Sequence, residues 1–403
     1  YNIYMNRVCA GIAWPPEFKL GDERMIYLDN SATTRTLPQA AQRAMEAMTE
    51  TYFNPAAAYS PAVTMERAMN AARTTLASAI GASAEELYFT SGGTESNNMA
   101  IFGALEPIRG RGRIIVGATE HPSVFEPFQK LARQYDMQIA WVDGQGCIDL
   151  NGLEKLLTPD TLLVSIMQVN NEVGAINDIP SIRRLMRAKA PGALLHVDGV
   201  QGYLKVPFSA KDCDLYSISG HKFHAPKGVG ALYVRKGIRF AGGQLGGGQE
   251  KGVRSGTSNT PGILGMETAA LDYMQNAMQY RQQMLQCKQR LYAALTRLPD
   301  VVYNGPALEA AAPHILNLSF LGVGGEVLLH ALEDKGIYVS TGSACSAHKK
   351  GKNRILNAMG VIGERQEGAI RFSFSHENTL AEMDQVAEAI DGLLPMLRRF
   401  RRR

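Results

Sequence analysis

The chain has 403 residues, of which 45% are hydrophobic and 20% are charged, and its formal net charge is +4 at pH 7. The length and composition predict a globular protein with two domains, or with one large domain and a smaller lobe. They argue against direct nucleic-acid binding by the whole chain, because the charge is too small, and against a membrane protein, because no apolar run could cross a bilayer.

The two ends of the chain stand apart from the rest of its sequence. Residues 1–24 lack the layout of a signal peptide, and Met25 opens a segment that reads like a true start, so we interpret them as an N-terminal extension. The basic end, RRFRRR from Arg398, is most simply a solvated terminus. A docking patch for RNA or an acidic partner is the alternative.

The cysteines are five in number and scattered, without a CxxC pair or a spacing typical of metal ligands. Such a set predicts a reducing compartment, so we expect a cytoplasmic protein with no metal site. These residues are Cys9, Cys147, Cys213, Cys287 and Cys345.

Short apolar runs alternate with helical patterns from about Glu86 to Val234. Strands that alternate with helices predict an α/β domain with a mostly parallel sheet covered on both faces. The seven predicted strands are LYFT from 87, RIIVGA from 113, QIAWV from 138, TLLVSIMQV from 161, ALLHVD from 193, DLYSIS from 214 and VGALYV from 229.

A long helical pattern over about 262–297 leads from this domain into a smaller α+β lobe. The lobe has predicted strands HILNLSF from 314 and IRFSFS from 370, and predicted helices near 325–335 and 380–397. We therefore divide the chain into the extension 1–24, a segment 25–40 that joins the small lobe, a large domain 41–275 and the small lobe 276–403.

Chemically active residues follow the predicted strands, at the sheet edge where such folds bind ligands. Gly93 and Thr94 open a helix after LYFT, where backbone N–H groups favour a phosphate. His121 precedes a proline at the start of another helix, and taken alone it is more often structural than catalytic. Asn171, with Asn170 before it, is either a turn former or a ligand contact.

Asp198 and Lys222 complete the set at the ends of the next two strands. A carboxylate at a buried strand end is costly unless it is paired, and a protonated ring nitrogen would pair it. Lys222 lies between a glycine and a Pro-Lys-Gly turn, which would hold an amine in a pocket. An amine, a carboxylate, a phosphate loop and an aromatic ring at one sheet edge match the requirements of pyridoxal phosphate.

The motifs at these positions closely resemble those of the cysteine desulfurases of the NifS/IscS type, in the class V aminotransferase group. The resemblance covers the chain from position 27 to about 379, and it implies the type I fold of pyridoxal phosphate enzymes. The motifs are YLDNSATT, TSGGTESNN, EHPSV, VNNEVG, HVDGVQ, SGHKFHAPKG, RSGT and STGSACSAH. One departure is Ala225 in HAPKG, where we expect glycine.

The resemblance implies a role for each of these residues. Lys222 would form the Schiff base with the cofactor, Asp198 would pair with the ring nitrogen, and Gln201 would contact the ring hydroxyl. His121 would stack on the ring and carry protons. Phosphate binding would fall to Gly93, Thr94, Ser219 and His221, with Thr257 reaching the phosphate of the other subunit of a homodimer. Substrate binding would fall to Asn171 and Arg371.

Cys345 resembles the sulfur-accepting nucleophile of these enzymes. Its segment, STGSACSAHKKGKN, is small, polar and glycine-containing, which favours a loop. Nearby His348, Lys349 and Lys350 would lower the thiol pKa, so we do not interpret Cys345 as an inert buried cysteine. The other four cysteines are interpreted that way.

The sequence therefore predicts conversion of L-cysteine to L-alanine, with sulfur passing to Cys345 and then to an acceptor protein. The acceptor would be an iron–sulfur scaffold or an enzyme of tRNA or cofactor thiolation. The alternatives are a selenocysteine lyase or transaminase of the same fold, which would not need Cys345, and a non-catalytic scaffold, which would not need Lys222.

Overall fold

The computed structural model describes residues 25–108, 110–342 and 353–401. The described residues do not include the extension 1–24, Cys345, the residues that follow it to Lys352, or the last two arginines. No helix among the described residues has the length and apolar character of a membrane span.

Twelve strands form three sheets in the described part of the chain. They are β1 (Ile26–Tyr27), β2 (Leu87–Thr90), β3 (Arg113–Gly117), β4 (Asp136–Ala140), β5 (Thr161–Met167), β6 (Leu194–Asp198), β7 (Leu215–Ser219), β8 (Gly230–Val234), β9 (Val301–Tyr303), β10 (Ile315–Phe320), β11 (Ile337–Tyr338) and β12 (Ala369–Ser373).

The described helices, apart from short 3-10 turns, number eleven. They are α1 (Pro38–Thr49), α2 (Ser60–Ser78), α3 (Gly93–Leu105), α4 (Pro122–Leu131), α5 (Leu150–Leu156), α6 (Ile179–Lys189), α7 (Thr260–Leu295), α8 (Gly325–Glu333), α9 (Arg354–Ala358), α10 (Glu364–Glu367) and α11 (Leu380–Arg401).

The large sheet has the strand order β2-β8-β7-β6-β5-β3-β4, and all seven strands predicted from the sequence are present. β3 to β7 run parallel, whereas β8 is antiparallel to both of its neighbours. Helices cover both faces, which explains why β5 and β7 are buried along almost their whole length. One hydrophobic core includes residues of α1, α2 and α7 on one face, and another includes α3 and α4 on the other.

The carboxyl ends of the parallel strands lie at one edge of this sheet, and each leads into a loop or a helix start. β6 ends at Asp198, and β7 runs into a 3-10 turn over Gly220–Lys222. α3 and α4 begin at this same edge. The topology therefore brings the ends of separate chain segments together, as the sequence predicts.

A second core surrounds the three-stranded antiparallel sheet β12-β10-β9. The last third of the 36-residue helix α7 packs into this core, together with α8 and α11. α7 thus connects the two cores, and the predicted domain boundary at residue 275 lies inside it.

The segment 25–37 joins both regions. β1 pairs in parallel with β11, and the Ser31 backbone N–H donates to Ser373 Oγ over 2.8 Å. Three residues further on, the Thr34 N–H donates to the His221 carbonyl over 2.9 Å. This segment lies between β12 and the turn that carries Lys222, so it forms one wall of the site described next.

Candidate active site

Lys222 lies at the end of the turn after β7. Its Nζ donates to the carbonyl oxygens of Ser31 and Ala32, over 2.6 and 2.8 Å. The amine lines a cavity of about 460 Å³ at the carboxyl edge of the large sheet. The lysine is therefore held in a pocket, as its position between turn residues predicts.

A second cavity, of about 380 Å³, adjoins the first and shares Gly93, Thr94, Ser219 and His221 with it. α3 begins at Gly93, and no side chain caps its N-terminus, so its first backbone N–H groups are available to an anion. A Cβ at Gly93 would lie 2.7 Å from Val200 Cγ2, so only glycine fits here without a shift.

His221 closes this second cavity beside Thr33, with 3.1 Å between His221 Nδ1 and Thr33 Oγ1. Burial lowers the pKa of His221 to about 4, and the nearby Lys222 and Lys227 act in the same direction. Thr33 and Lys227 also line the cavity, and the sequence analysis did not identify either.

Asp198 is buried at the end of β6. Its Oδ1 accepts the Val200 N–H over 3.0 Å, and its Oδ2 accepts from Asn97 Nδ2 over 2.8 Å. Asn97 was missed in the sequence, although its spacing of four residues from Gly93 places both on one face of α3. Gln201 lines the same cavity, and its Oε1 is buried with no hydrogen-bond partner among the described residues.

His121 precedes α4 and caps it, because the Ser123 N–H donates to His121 Nδ1 over 3.1 Å. Burial lowers the pKa of His121, as do the charges of Lys222 and Arg354, while Asp198 opposes them. The ring is therefore neutral near pH 7. It lines the same cavity as Lys222 and Asp198.

Arg371 comes from β12 and reaches the far end of this cavity. Its Nη2 pairs with Asp29 Oδ1 over 2.6 Å, and its Nη1 donates to the Asn171 carbonyl over 3.0 Å. Asn171 Oδ1 is buried with no partner in the described part of the chain. The neighbouring Asn170 is a turn former instead, since its Oδ1 accepts the N–H groups of Glu172 and Val173.

Three further charged residues line this end, and the sequence analysis identified none of them. Burial raises the pKa of Glu172 to about 7, although a hydrogen bond from Asn353 opposes the shift. Burial and the charge of Asp198 raise the pKa of Glu120 well above its ordinary value. Arg354 donates to the Ala118 and Glu120 carbonyls and lies over the ring of Phe125. Glu120 and Glu172 lie in the motifs EHPSV and VNNEVG, beside His121 and Asn171, and that position is the signal that could have identified them.

Thr257 is not in this group. It is exposed and lines a separate, smaller cavity that shares Ser91 and Gly228 with the second one. Its predicted contact with the phosphate of another subunit stays a prediction, since the structure contains one chain. Among the described residues, no cluster of histidine, cysteine, aspartate or glutamate is arranged to hold a metal ion.

Comparison with known proteins connects this geometry to a family. The chain matches the aminotransferase class-V family over residues 26–386. It is 39% identical over 381 residues to a cysteine desulfurase of Trichormus azollae, with 93% of this chain and 94% of that protein aligned. It is 37% identical to a cysteine desulfurase IscS of Methanosarcina thermophila, with 94% of each aligned. A solved NifS-like protein superposes with a TM-score of 0.87 at 36% identity, covering 93% of this chain and all of that one.

The chain therefore belongs to the aminotransferase class-V family, whose members use pyridoxal phosphate. Within this family it is similar to the cysteine desulfurases, which confirms the resemblance seen in the sequence. The predicted type I fold, with a mostly parallel seven-stranded sheet, is also confirmed.

The residues of the pocket fit this cofactor. The uncapped start of α3 at Gly93 provides donors for a phosphate, and the buried Asp198 provides a partner for a ring nitrogen. The unpartnered Gln201 Oε1 is an acceptor for a ring hydroxyl. Lys222 lies in the same cavity, so amine, carboxylate and phosphate site can be reached by one small molecule.

Proposed function

We propose that the chain is a cysteine desulfurase that converts L-cysteine to L-alanine and transfers the sulfur to Cys345. The observation that carries this proposal is the shared cavity of Lys222, Asp198 and His121 in a chain whose relatives are cysteine desulfurases. Bound pyridoxal phosphate supplies an aldehyde that takes up the substrate amine and a ring that withdraws electrons from it.

Each residue of the cavity has its own role in the proposed reaction. Asp198 would pair with the ring nitrogen of the cofactor, because its buried carboxylate needs a cation as partner. Lys222 would hold the cofactor through its amine and would carry the proton of the substrate α-carbon. His121, which would carry protons, is neutral near pH 7 and so adds no positive charge beside Lys222.

Arg371 binds the substrate carboxylate in our proposal. Asp29 and the Asn171 carbonyl hold its guanidinium at one edge, which leaves N–H groups of the fork for a second carboxylate. Arg371 Nε is buried with no partner among the described residues. The Asn171 amide, whose Oδ1 is also unpartnered, lies in the same cavity and completes the polar contacts.

The sulfur transfer is balanced without an added oxidant or reductant. The Cys345 thiolate attacks the substrate sulfur, the Cβ–S bond of the substrate breaks, and an S–S bond forms on Cys345. The released carbon skeleton gains a proton at Cβ, regains at the α-carbon the proton that Lys222 took, and leaves as L-alanine. The resulting persulfide is then available to a thiol of an acceptor protein.

We further propose a cytoplasmic homodimer whose persulfide serves an iron–sulfur scaffold or a tRNA- or cofactor-thiolation enzyme. Thr257 is exposed and so accessible to a second subunit. The described cysteines Cys147, Cys213 and Cys287 are free thiols, which suits a reducing compartment. Burial raises the pKa of Cys147 and of Cys287 to about 11, so these thiols do not compete as nucleophiles.

The test compares the wild type with Cys345→Ser, and with Cys147→Ser as the matched control. Alanine and sulfide release from L-cysteine are measured with excess thiol reductant. We expect equal amounts of both products from the wild type and the control, and loss of turnover in Cys345→Ser with cofactor absorbance retained. Full turnover in Cys345→Ser would instead favour a lyase that needs no persulfide. A colourless wild-type protein that takes up no pyridoxal phosphate would indicate a scaffold.

A further inference from the structure

Asn97 and Ser123 connect Asp198 to His121 by hydrogen bonds. Asn97 Nδ2 donates to Asp198 Oδ2 over 2.8 Å and to Ser123 Oγ over 2.9 Å. Ser123 Oγ in turn lies 2.8 Å from His121 Nδ1. The proposed mechanism uses the two ends of this chain of bonds and assigns nothing to the two residues between them.

The carboxylate of Asp198 fixes the orientation of the Asn97 amide. An ionised carboxylate only accepts hydrogen bonds, so the NH₂ group of Asn97 must face it. A flipped amide would place Asn97 Oδ1 against the carboxylate oxygen. In the observed orientation Asn97 Oδ1 is buried with no partner among the described residues, a cost that the two donated bonds offset.

The orientation of Asn97 determines in turn which way the Ser123 hydroxyl points. Ser123 Oγ accepts a hydrogen bond from Asn97, and the Ser123 backbone N–H makes His121 Nδ1 an acceptor, so the hydroxyl proton is directed to Nδ1. The Ser123 backbone N–H donates to the same ring nitrogen. With two donors directed at Nδ1, the neutral imidazole carries its proton on Nε2. A further proton on Nδ1 would be unfavourable, because it would face the hydrogens of both donors.

The charged groups that face His121 are Asp198, Lys222 and Arg354. Asp198 favours the imidazolium form, whereas the two cations and burial disfavour it. The hydrogen bonds through Asn97 and Ser123 begin at Asp198, but they oppose a proton on Nδ1. They therefore disfavour the imidazolium form of His121, as the two cations do. The same carboxylate therefore acts on His121 in two opposite ways.

We propose that Asn97 and Ser123 are positioning residues that keep His121 neutral, with its proton on Nε2, while Asp198 is ionised. This inference rests on the proposed function only for the role of His121 as a proton carrier. Under this proposal the acid–base state of His121 depends on Asp198, the carboxylate that pairs with the cofactor ring. The dependence passes through Asn97 and Ser123, which touch neither the cofactor nor the substrate in the mechanism above.

The test is an NMR titration of the full chain with ¹³C,¹⁵N-labelled histidine, with and without pyridoxal phosphate. The His121 signals are assigned by their loss in His121→Gln. We expect Asn97→Ala and Ser123→Ala each to raise the His121 pKa by about half to one pH unit and to reduce the Nε2–H tautomer. Because both variants break one chain of bonds, the double variant should shift no further than the larger single one.

Two controls accompany these variants. Ser123→Thr keeps the hydroxyl and should titrate like the wild type. Asn276→Ala removes an amide on α7, which donates to the Asp272 carbonyl, and should also leave the His121 titration unchanged. If Asn97→Ala fails to fold, Ser123→Ala carries the test, since a half-buried serine leaves no large cavity.

The proposal is overturned if His121 titrates in Ser123→Ala as it does in the wild type, or if the two single effects add in the double variant. The titration requires no turnover, so a failure of desulfurase activity would leave this result intact. Conversely, an unchanged titration would not contradict the desulfurase reaction.

Discussion

The two ends of the active-site cavity are built in different ways. The phosphate end consists of the start of α3, Ser219 and His221, which come from continuous strand-to-turn motifs. The proposed substrate end contains several charged side chains: Arg371 pairs with Asp29, whereas Glu172 and Arg354 are held by neutral partners. In the proposed function, backbone N–H groups would recognise the part of the ligand that stays, and charged side chains would surround the part that turns over.

Lys222 lies between the two ends, so its loss should have the largest effect. We expect Lys222→Ala to lower turnover by roughly 10³-fold or more, because both the covalent attachment of the cofactor and a proton carrier are lost. Mass spectrometry after borohydride reduction should find the cofactor on Lys222 in the wild type and no covalent adduct in the variant. Lys236→Ala, at an exposed position, is the control. An adduct on another lysine would refute the assignment.

Arg371→Ala should affect the substrate end alone. A hydrogen-bonded charge pair contributes about 1.5–3 kcal/mol, so KM for L-cysteine should rise about 10- to 100-fold. The dissociation constant of pyridoxal phosphate should stay near its wild-type value, and both constants are measured on the same preparation. A comparable loss of cofactor affinity would show that the two ends are not independent.

Gly93→Ala should affect the phosphate end alone. The added Cβ would lie 2.7 Å from Val200 Cγ2, and overpacking of this kind costs about 1–3 kcal/mol. We expect cofactor affinity to fall about tenfold with an unchanged KM for L-cysteine. Adding Val200→Ala should restore the affinity, because it removes the overlapping atom. Gly192→Ala, where nothing lies within 4 Å of the added Cβ, is the control.

Substitution of Glu172 should give the smallest effect, and the effect should be on stability rather than on catalysis. Burial raises its pKa from 4.5 to about 7, so the folded chain binds this proton more tightly than the unfolded chain does. The free energy of unfolding therefore falls as the pH rises from about 4.5 to 7, by at most about 3 kcal/mol. Glu172→Gln should flatten this dependence, and thermal melts at pH 5 and pH 8 measure it. Glu154→Gln, at a half-exposed site, should leave the dependence unchanged.

The same contrast explains what the sequence could predict. The seven strands were readable because both faces of the sheet are buried and each strand is an apolar run between turn residues. β4 was placed two residues late, since Trp141 and Val142 were included in it. Trp141 is 60% exposed and follows the strand, whose observed register is set by pairing with β3.

The position of a candidate site residue was predictable where it lies at a strand end, as Asp198 does, or in the turn that follows, as Lys222 does. The substrate end was less predictable from the sequence, because its contacts join positions that are far apart in the chain. Asp29 and Arg371 are 342 residues apart, and nothing local marks Asp29 as the partner of an arginine. Likewise, the acceptors of Lys222 Nζ are backbone carbonyls of Ser31 and Ala32, which no side-chain pattern reveals.

The long-range pairing of the segment 25–37 has a consequence for biosynthesis. Ser31 is held by Ser373, 342 residues later, and β1 by β11, so the wall that contacts Lys222 depends on residues synthesised long after it. The large sheet can assemble earlier, since its strands end at Val234. Completion of the lysine pocket, in the geometry proposed to hold the cofactor, therefore follows assembly of the large sheet.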